Sequence, residues 1–284
     1  MTLTIDVFNS GYLPVNGGPG WDPGSTATWP ASTATLIAGE RDAILVDALM
    51  TIDEGHQLVS WIRKAGKNLT SIVITHGHGD HFFGASPVLA AFPGARLLAL
   101  NTSVVEEARL HLQPEILQNW IGWFGDQFDH EAALPQPLGS EALTVEKHPV
   151  HVVEVGPADG ALGTAVHIPE LDTVCAGDAV YNNIHMWLWN STPASRHTWL
   201  ATVDAVAALN PTTIIAGHKD PDAPDDNAAR QLAQSRDYIE AFDQAVAGSS
   251  SARDVVNKMT NSFPDYGNPY TLFVSAHSQY QASG

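Results

Sequence analysis

The chain has 284 residues, of which 44% are hydrophobic and 15% charged, a composition typical of folded globular proteins. Lys and Arg together number 13 and Asp and Glu 31, so the formal net charge is −18 with histidine neutral. A surface this acidic repels phosphates and anionic lipids, which argues against nucleic acids and membranes as partners. The single cysteine, Cys175, cannot form an internal disulfide.

The first residues, MTLTIDVFNS, contain neither a basic stretch nor an apolar core, so we expect no signal peptide. No run of residues approaches the roughly 18 apolar positions that a membrane-spanning helix requires. We therefore predict a soluble protein that resides in the cytoplasm.

The first half of the chain alternates short β-branched runs with segments of helical spacing. The predicted strands are residues 2–7, 33–37, 43–46, 71–75 and 96–100, and the predicted helices are residues 53–64 and 86–92. Residues 103–128 also have helical spacing and carry several aromatic residues. We interpret this segment as a helical insertion that covers one face of the fold, by ordinary helix packing or by binding substrate.

The second half repeats the pattern. Its predicted strands are residues 143–145, 151–155, 165–168, 173–176 and 212–216, and its predicted helices are residues 199–209 and 223–247. Strands followed by helices in both halves predict two sheets packed face to face with helices outside. No fixed-period repeat or low-complexity linker interrupts the chain, so we predict a single domain over residues 1–284.

A cluster of metal-binding residue types follows the apolar strand at residues 71–75. The segment reads Thr75-His76-Gly77-His78-Gly79-Asp80-His81. Three imidazoles and one carboxylate packed this densely are costly to bury unless they coordinate an ion. Neutral imidazole and carboxylate suit Zn²⁺, with iron or manganese as alternatives. The intervening glycines let the backbone turn tightly enough for the side chains to converge.

This spacing resembles the H-x-H-x-D-H signature of the metallo-β-lactamase superfamily, which also follows an apolar strand. Asp47 in AILVDA matches an acidic residue that the family has near its site. Asp178 in CAGDAVYN matches the carboxylate that bridges two metals, and His218 in IIAGHKD matches the last histidine ligand. The resemblance covers roughly residues 33–220. It implies an α+β fold, the four-layer αββα sandwich, with the site at one edge between the sheets.

The resemblance also implies roles for these residues. The implied ligands are His76 and His78 in one site, Asp80, His81 and His218 in the other, and Asp178 between them. We expect Asp80 to orient a water molecule or accept its proton. Tyr181 is a candidate donor to a developing oxyanion, and the alternative is a tyrosine packed at the sheet edge with its hydroxyl bonded locally.

One position departs from the family pattern. Pro157 stands where the family has a third histidine ligand for the first site, and proline cannot ligate through its side chain. Three interpretations stay open. In one, the first site is weakened or empty and a single metal is held by the ligands on the Asp80 side. In another, the site is remodelled for a different reaction or has lost hydrolytic activity. Alternatively a nearby group replaces the histidine, with Asp159 as the first candidate and His148, His151 and His185 less favoured.

We predict a hydrolase that acts on a small ester, lactone, lactam or amide through a metal-activated water. Family members that hydrolyse antibiotics often have a cysteine ligand where this chain has Asp178, which points toward other acyl substrates. Cys175 lies three residues earlier on the opposite strand face, so we interpret it as a buried small residue. Aromatic residues at 186–189 and in the loop 17–29, which we expect to be exposed near the cleft, indicate an apolar or aromatic substrate.

Two other function classes remain open on the sequence alone. One is a non-haem iron oxygenase built on the same fold, and the other is a binding protein with a depleted metal site. The tryptophan-rich segments are also compatible with a homodimer interface.

Overall fold

The computed structural model describes residues 2–139 and 142–280. The strands are β1 (Thr4–Asn9), β2 (Leu13–Pro14), β3 (Thr28–Trp29), β4 (Thr33–Ala38), β5 (Asp42–Val46), β6 (Asn68–Val73), β7 (Arg96–Ala99), β8 (Gln136–Pro137), β9 (Thr144–Val145), β10 (His148–Pro149), β11 (His151–Gly156), β12 (Gly163–Ile168), β13 (Thr173–Gly177) and β14 (Thr213–Ala216). The helices are α1 (Ile52–Ala65), α2 (Ala85–Ala91), α3 (Thr102–His111), α4 (Pro114–Phe124), α5 (Pro193–Ala208), α6 (Ala228–Ala247), α7 (Ala252–Ser262) and α8 (Pro269–Ser278). Short 3₁₀ turns span Gly79–His81 and Pro169–Leu171.

The first sheet has the strand order β1-β4-β5-β6-β7-β8. Strands β1, β4 and β5 pair antiparallel, whereas β5 through β8 pair parallel. Strand β4 is buried along its whole length because both of its faces are covered. Helix α1 covers part of the outer face and begins at a capping box, in which Thr51 and Glu54 each accept a hydrogen bond from the other's backbone amide.

The second sheet has the strand order β11-β12-β13-β14, with only the last pair parallel. Its register shifts between Cys175 and Gly177, where φ of Gly177 is +51°. A Cβ at Gly177 would lie 2.6 Å from the Thr75 hydroxyl, so a glycine allows the end of β13 to approach the end of β6. The amide and hydroxyl of Thr164 on β12 donate to the Thr75 carbonyl and join the two sheets at this edge.

The inner faces of the two sheets meet in an apolar layer. It is formed by buried side chains that include Ile37, Ile44 and Val73 from the first sheet and Val166, Ile168, Cys175 and Ile215 from the second. Cys175 thus lies between the sheets, as its strand position predicts. Helices α1 to α4 pack outside the first sheet, and α5 and α6 pack outside the second. These four layers confirm the predicted αββα sandwich.

The predicted strands and helices are present, with shifted ends. The segment 103–128 forms two helices rather than one, because Pro114 has no amide hydrogen to continue α3 and instead begins α4. Helix α6 begins at Ala228 with Asn227 as its cap, later than the predicted residue 223. Helices α7 and α8 were not predicted. Whether residues 103–128 are an insertion, and whether residues 1–284 form a single domain, stay predictions.

In the described part of the chain no helix combines the length and apolar character that a membrane crossing needs. The cytoplasmic location stays a prediction.

The apolar layer between the sheets is buried, so we expect its side chains to contribute strongly to the free energy of unfolding. Replacing fully buried Ile44 by alanine should lower the free energy of unfolding by about 2–5 kcal/mol, because the cavity cannot fully collapse. Leu110→Ala, at a position 54% exposed on α3, is the matched control and should change it by less than about 0.5 kcal/mol. Urea denaturation followed by circular dichroism measures both, and equal midpoints would contradict the assignment of this core.

Candidate metal centre

The histidine-rich turn follows β6 and is held under helix α3. A Cβ at Gly77 would lie 2.3 Å from the backbone nitrogen of Ala108, so only glycine lets the turn pass this close to the helix. The 3₁₀ turn then reverses the chain and directs Asp80 and His81 to the same side as His76. All three side chains are buried.

The metal ligands expected from the sequence come together at the edge between the sheets. Their donor atoms form groups whose members lie within 4.8 Å of one another: His76, His78 and Asp159 (the first group), Asp80, His81 and His218 (the second group), and His76, His81 and Asp178. We call these seven residues the candidate metal centre. Asp178 shares the third group with His76 of the first group and His81 of the second. This is the place that the sequence predicts for a bridging carboxylate.

Asp159 lies beside the first pair of histidines. Its Oδ2 is 3.0 Å from Nδ1 of His78, and its Oδ1 is 3.9 Å from Nε2 of His76. Burial raises the pKa of the Asp159 carboxyl to about 6, although His78 acts in the opposite direction. Burial on its own would lower the pKa of His78, but the Asp159 carboxylate outweighs it and raises the pKa to about 9.

The other candidates for the missing ligand lie elsewhere. His148 contacts Glu170, and His151 pairs with His167 across β11 and β12. Nδ1 of His185 is 3.0 Å from the Tyr238 hydroxyl, away from the metal centre. Of the residues that the sequence analysis offered, the structure brings only Asp159 to the first group.

Buried polar atoms in this centre fit a metal ion. Nε2 of His76, Nε2 of His81 and Oδ1 of Asp178 make no hydrogen bond among the described residues, although the last two atoms lie 3.2 Å apart. A buried polar atom without a partner costs free energy, and a buried charge costs more. An ion between these atoms would satisfy them, and imidazole with carboxylate is a donor set that zinc and iron both accept.

Residues behind the ligands fix their orientation. Asp47, which directly follows β5, is 2.9 Å from Nδ1 of His81 and accepts hydrogen bonds from the amide and hydroxyl of Thr75. The hydroxyl of Ser32 is 3.2 Å from Nδ1 of His218. In both histidines the opposite nitrogen, Nε2, therefore faces the centre, which is the arrangement that orients histidine ligands in metalloproteins.

Glu107 on α3 links the turn that carries the histidines to the loop that carries Asp159. Its Oε2 accepts from the amide of Gly77 and its Oε1 from the amide of Ala161, both at 2.9 Å. The sequence analysis did not single out this residue. Nothing in the local pattern distinguishes Glu107 from its exposed neighbour Glu106, because the role depends on two segments that are distant in the chain.

The hydroxyl of Tyr181 is hydrogen-bonded to a residue of the metal centre. Its hydroxyl donates to Oδ2 of Asp178 at 2.5 Å, and its side chain is only 2% exposed. Burial, reinforced by Asp178, raises the pKa of Tyr181 well above its usual value. This placement favours the locally bonded alternative over a role as oxyanion donor.

Asp80 is the carboxylate of the second group that also faces a cavity. Its Oδ2 accepts a hydrogen bond from the indole of Trp29 at 2.9 Å and lies 3.2 Å from Nε2 of His218. Burial raises the pKa of Asp80, but His81 and His218 outweigh burial and hold it below the usual range. Asp80 therefore stays ionised at neutral pH and is suited to accept hydrogen bonds.

A cavity of about 330 Å³ opens above the metal centre. Its walls are aromatic and are formed mainly by Trp29, Trp120, Trp123, Trp187 and Trp189, and no lysine or arginine of the described residues lines it. Helix α4 supplies Trp120 and Trp123, so the segment 103–128 contributes to the cavity as well as to packing. Two expectations about loop 17–29 need correction: Trp29 is buried at 3% exposure, and Trp21 packs on Tyr270 and Phe273 instead of the cavity.

The Glu107 bridge predicts a local effect of mutation. Glu107→Ala removes the acceptor of two amide protons, and bonds to a charged group contribute about 1.5–3 kcal/mol each. Hydrogen exchange of the Gly77 and Ala161 amides should accelerate by about ten- to a hundredfold, measured by NMR. Glu106→Ala, on the exposed face of the same helix, should leave both rates unchanged. Equal protection in the two variants would show that Glu107 does not link the loops.

Comparisons with known proteins agree with this geometry. The sequence profile of the Metallo-beta-lactamase superfamily matches residues 27–218, whereas a search among curated proteins finds no match. The metallo-β-lactamase FIM-1 from Pseudomonas aeruginosa, solved in its mono-zinc form, is 20% identical, with a TM-score of 0.57 over 84% of this chain and 96% of its own. A metallo-β-lactamase from Erythrobacter litoralis is 21% identical, with a TM-score of 0.53 over 74% of this chain and 86% of its own.

At these identities the solved structures establish a shared fold. The profile match covers more than half of the chain and includes the histidine-rich turn, the position of Asp178 and His218. It supports the prediction of a metallo-hydrolase. The chain belongs to the metallo-β-lactamase superfamily.

Proposed function

We propose that this protein is a metal-dependent hydrolase that binds two zinc ions and cleaves a small, uncharged ester, lactone, lactam or amide with an apolar or aromatic group. The observation that carries the proposal is the convergence of two ligand groups at the floor of a tryptophan-lined cavity. The ligands and the walls of the cavity thus lie within reach of one small molecule.

Asp159 takes the place of the missing histidine in the first site. It is buried beside His76 and His78, and its carboxylate is directed at both imidazoles. The loop that carries it is fixed at both ends: Thr202 donates to the Pro157 carbonyl at 2.7 Å, and the Ala161 amide donates to Glu107. Each site then has two histidines and one carboxylate of its own, and Asp178 lies between them.

A bound zinc ion lowers the pKa of a coordinated water from 15.7 to about 7 and polarises a substrate carbonyl. The protein's own contribution is orientation. Asp80 accepts a hydrogen bond from the attacking water, while the indole N–H of Trp29 holds its Oδ2 in place. A carboxylate with so low a pKa is a weak proton acceptor, so orientation is the role that its chemistry supports. Tyr181 fixes the orientation of Asp178 from the side away from the cavity.

The walls and floor of the cavity favour an uncharged substrate. The floor contains the carboxylates of Asp80, Asp159 and Asp178, and no lysine or arginine of the described residues lines the cavity to pair with a substrate carboxylate. A substrate that carries its own carboxylate, as penicillins do, would have to lose hydration without a lysine or arginine beside it. The tilted and edge-to-face tryptophans of the wall instead suit flat, apolar groups.

One observation favours a second candidate function. Two histidines and one carboxylate, the set formed by His76, His78 and Asp159, are also the donors that hold iron in many oxygen-activating enzymes. An iron-dependent oxidoreductase is therefore the alternative. The unpartnered atoms of His76, His81 and Asp178 argue against the depleted binding protein, because an empty site leaves them unsatisfied. The homodimer stays a prediction.

Metal content tests the first site. Protein purified without added metal should contain two zinc ions per chain by elemental analysis, and Asp159→Ala should retain one because the second group is intact. Asp126→Ala, at an exposed position, is the control and should retain two. Two ions in Asp159→Ala would show that this carboxylate is not a ligand, and iron in the wild-type protein would favour the oxidoreductase.

Hydrolysis tests the reaction and the substrate class. We expect kcat/KM for phenyl acetate or an aryl-substituted lactone to exceed that for benzylpenicillin by at least about tenfold, because the cavity rejects an uncompensated carboxylate. A chelator should abolish hydrolysis, and zinc should restore it. Zinc-loaded protein that hydrolyses none of these compounds, or that prefers the penicillin, would contradict the proposal.

A further inference from the structure

His111, the last residue of α3, lies at the boundary between the metal centre and the cavity. Its ring stacks on that of His78, with centroids 4.6 Å apart and planes inclined by 29°. The side chain lines the cavity but belongs to none of the ligand groups of the described residues. A molecule held in the cavity beside the metal centre would therefore be in contact with His111.

Trp120 determines which nitrogen of His111 carries the proton. The indole nitrogen of Trp120 lies 3.1 Å from Nδ1 of His111, and an indole N–H can only donate. Nδ1 must therefore be the acceptor, so the ring is neutral and its hydrogen is on Nε2. Nε2 has no hydrogen-bond partner among the described residues, which leaves this N–H as a free donor on a residue that lines the cavity.

His111 is distinguished from the other donors of the cavity by its contact with the metal centre. The indole N–H of Trp29 is bonded to Asp80, and that of Trp123 is bonded to the Tyr270 hydroxyl. The aspartates of the floor offer only acceptors when ionised. Uncharged N–H donors also line the cavity on Asn119, Trp187 and Trp189, but His111 is the residue whose ring stacks on a proposed ligand, His78. The Nε2–H of His111 is thus an uncharged donor directly beside the metal centre.

We propose that His111 is a substrate-binding residue whose Nε2–H donates a hydrogen bond to an oxygen of an uncharged, ring-bearing acyl compound held between the tryptophans. That the compound is acyl rests on the proposed function; the donor and its orientation do not. Trp120 acts as a positioning residue, because it holds His111 in the tautomer that donates. A buried donor that needs an acceptor discriminates against ligands that lack one.

The tautomer can be tested without any substrate. In protein labelled with ¹⁵N-histidine, the resonances that disappear in His111→Gln identify this ring, and they should show an unprotonated Nδ1 and a protonated Nε2. In Trp120→Phe, which removes the indole donor, the same ring should become a mixture of tautomers. A protonated Nδ1 in the wild-type protein would overturn the proposal.

Binding of two probes tests the donor itself. Acetophenone and α-methylstyrene have nearly the same planar shape, but only acetophenone has an oxygen that can accept. The zinc-loaded protein should bind acetophenone about tenfold more tightly in an NMR titration, as one neutral hydrogen bond allows. His111→Phe should reduce this preference to less than about twofold. His111→Gln, which keeps an N–H donor and an acceptor for Trp120, should retain most of it.

His56→Phe, at an exposed position on α1, is the matched control and should bind like the wild type. An undiminished preference for acetophenone in folded His111→Phe would overturn the proposal. Neither experiment requires turnover, so the absence of hydrolysis would contradict the proposed function while leaving these outcomes to decide the role of His111.

Discussion

The cost of burying charge is the constraint on which the rest of the structure depends. Four histidines and three aspartates meet at the edge between two sheets, and all of them except His78 and Asp159 are buried residues. Such groups are tolerated only when each is paired, hydrogen-bonded or coordinated. The surrounding fold supplies the fixed partners: Asp47 for His81, Ser32 for His218, Tyr181 for Asp178 and Trp29 for Asp80. The atoms that remain without a hydrogen bond, on His76, His81 and Asp178, lie within 4.8 Å of one another, an arrangement that a metal ion would complete.

The same constraint bears on the replacement that we propose for the ligand missing at Pro157. The backbone carbonyl of this proline accepts a hydrogen bond from Thr202, and the amide of Ala158 bonds back to the carbonyl of Gly160 in a tight turn. This turn places a carboxylate two residues after the expected ligand position. Glu107 then ties the turn to the histidine motif. A carboxylate in this position also adds negative charge, which would balance the two divalent ions of our proposal better than a neutral imidazole.

The parts of this protein that local patterns encode could be predicted from the sequence. The strands, the histidine turn and the residues that resemble family ligands follow from periodicity and spacing, because each depends on a few consecutive residues. The sequence could offer Asp159 as the first candidate but could not exclude His151 or His185. The answer depends on how the loop that carries Asp159 meets the histidine-rich turn. Glu107 and His111 gave no signal at all, because Glu107 bonds to Ala161 and His111 stacks on His78, and both of these contacts join segments distant in the chain. Trp29 was expected to be exposed for the same reason: its burial is created by α4 and the 186–189 segment.

Trp29 also shows that the cavity and the metal centre are one physical unit. Its ring centroid lies 4.9–5.4 Å from those of Trp120, Trp123, Phe124 and Trp187, so it occupies the middle of the aromatic wall. Its N–H is bonded to Asp80. Close-packed aromatic rings leave little room for independent movement. A ligand that displaced the wall would therefore shift the indole, and the indole would shift the Asp80 carboxylate to which we assign the orientation of the water. The hydrogen bond between Trp29 and Asp80 is thus the direct connection between the shape of the cavity and the candidate metal centre.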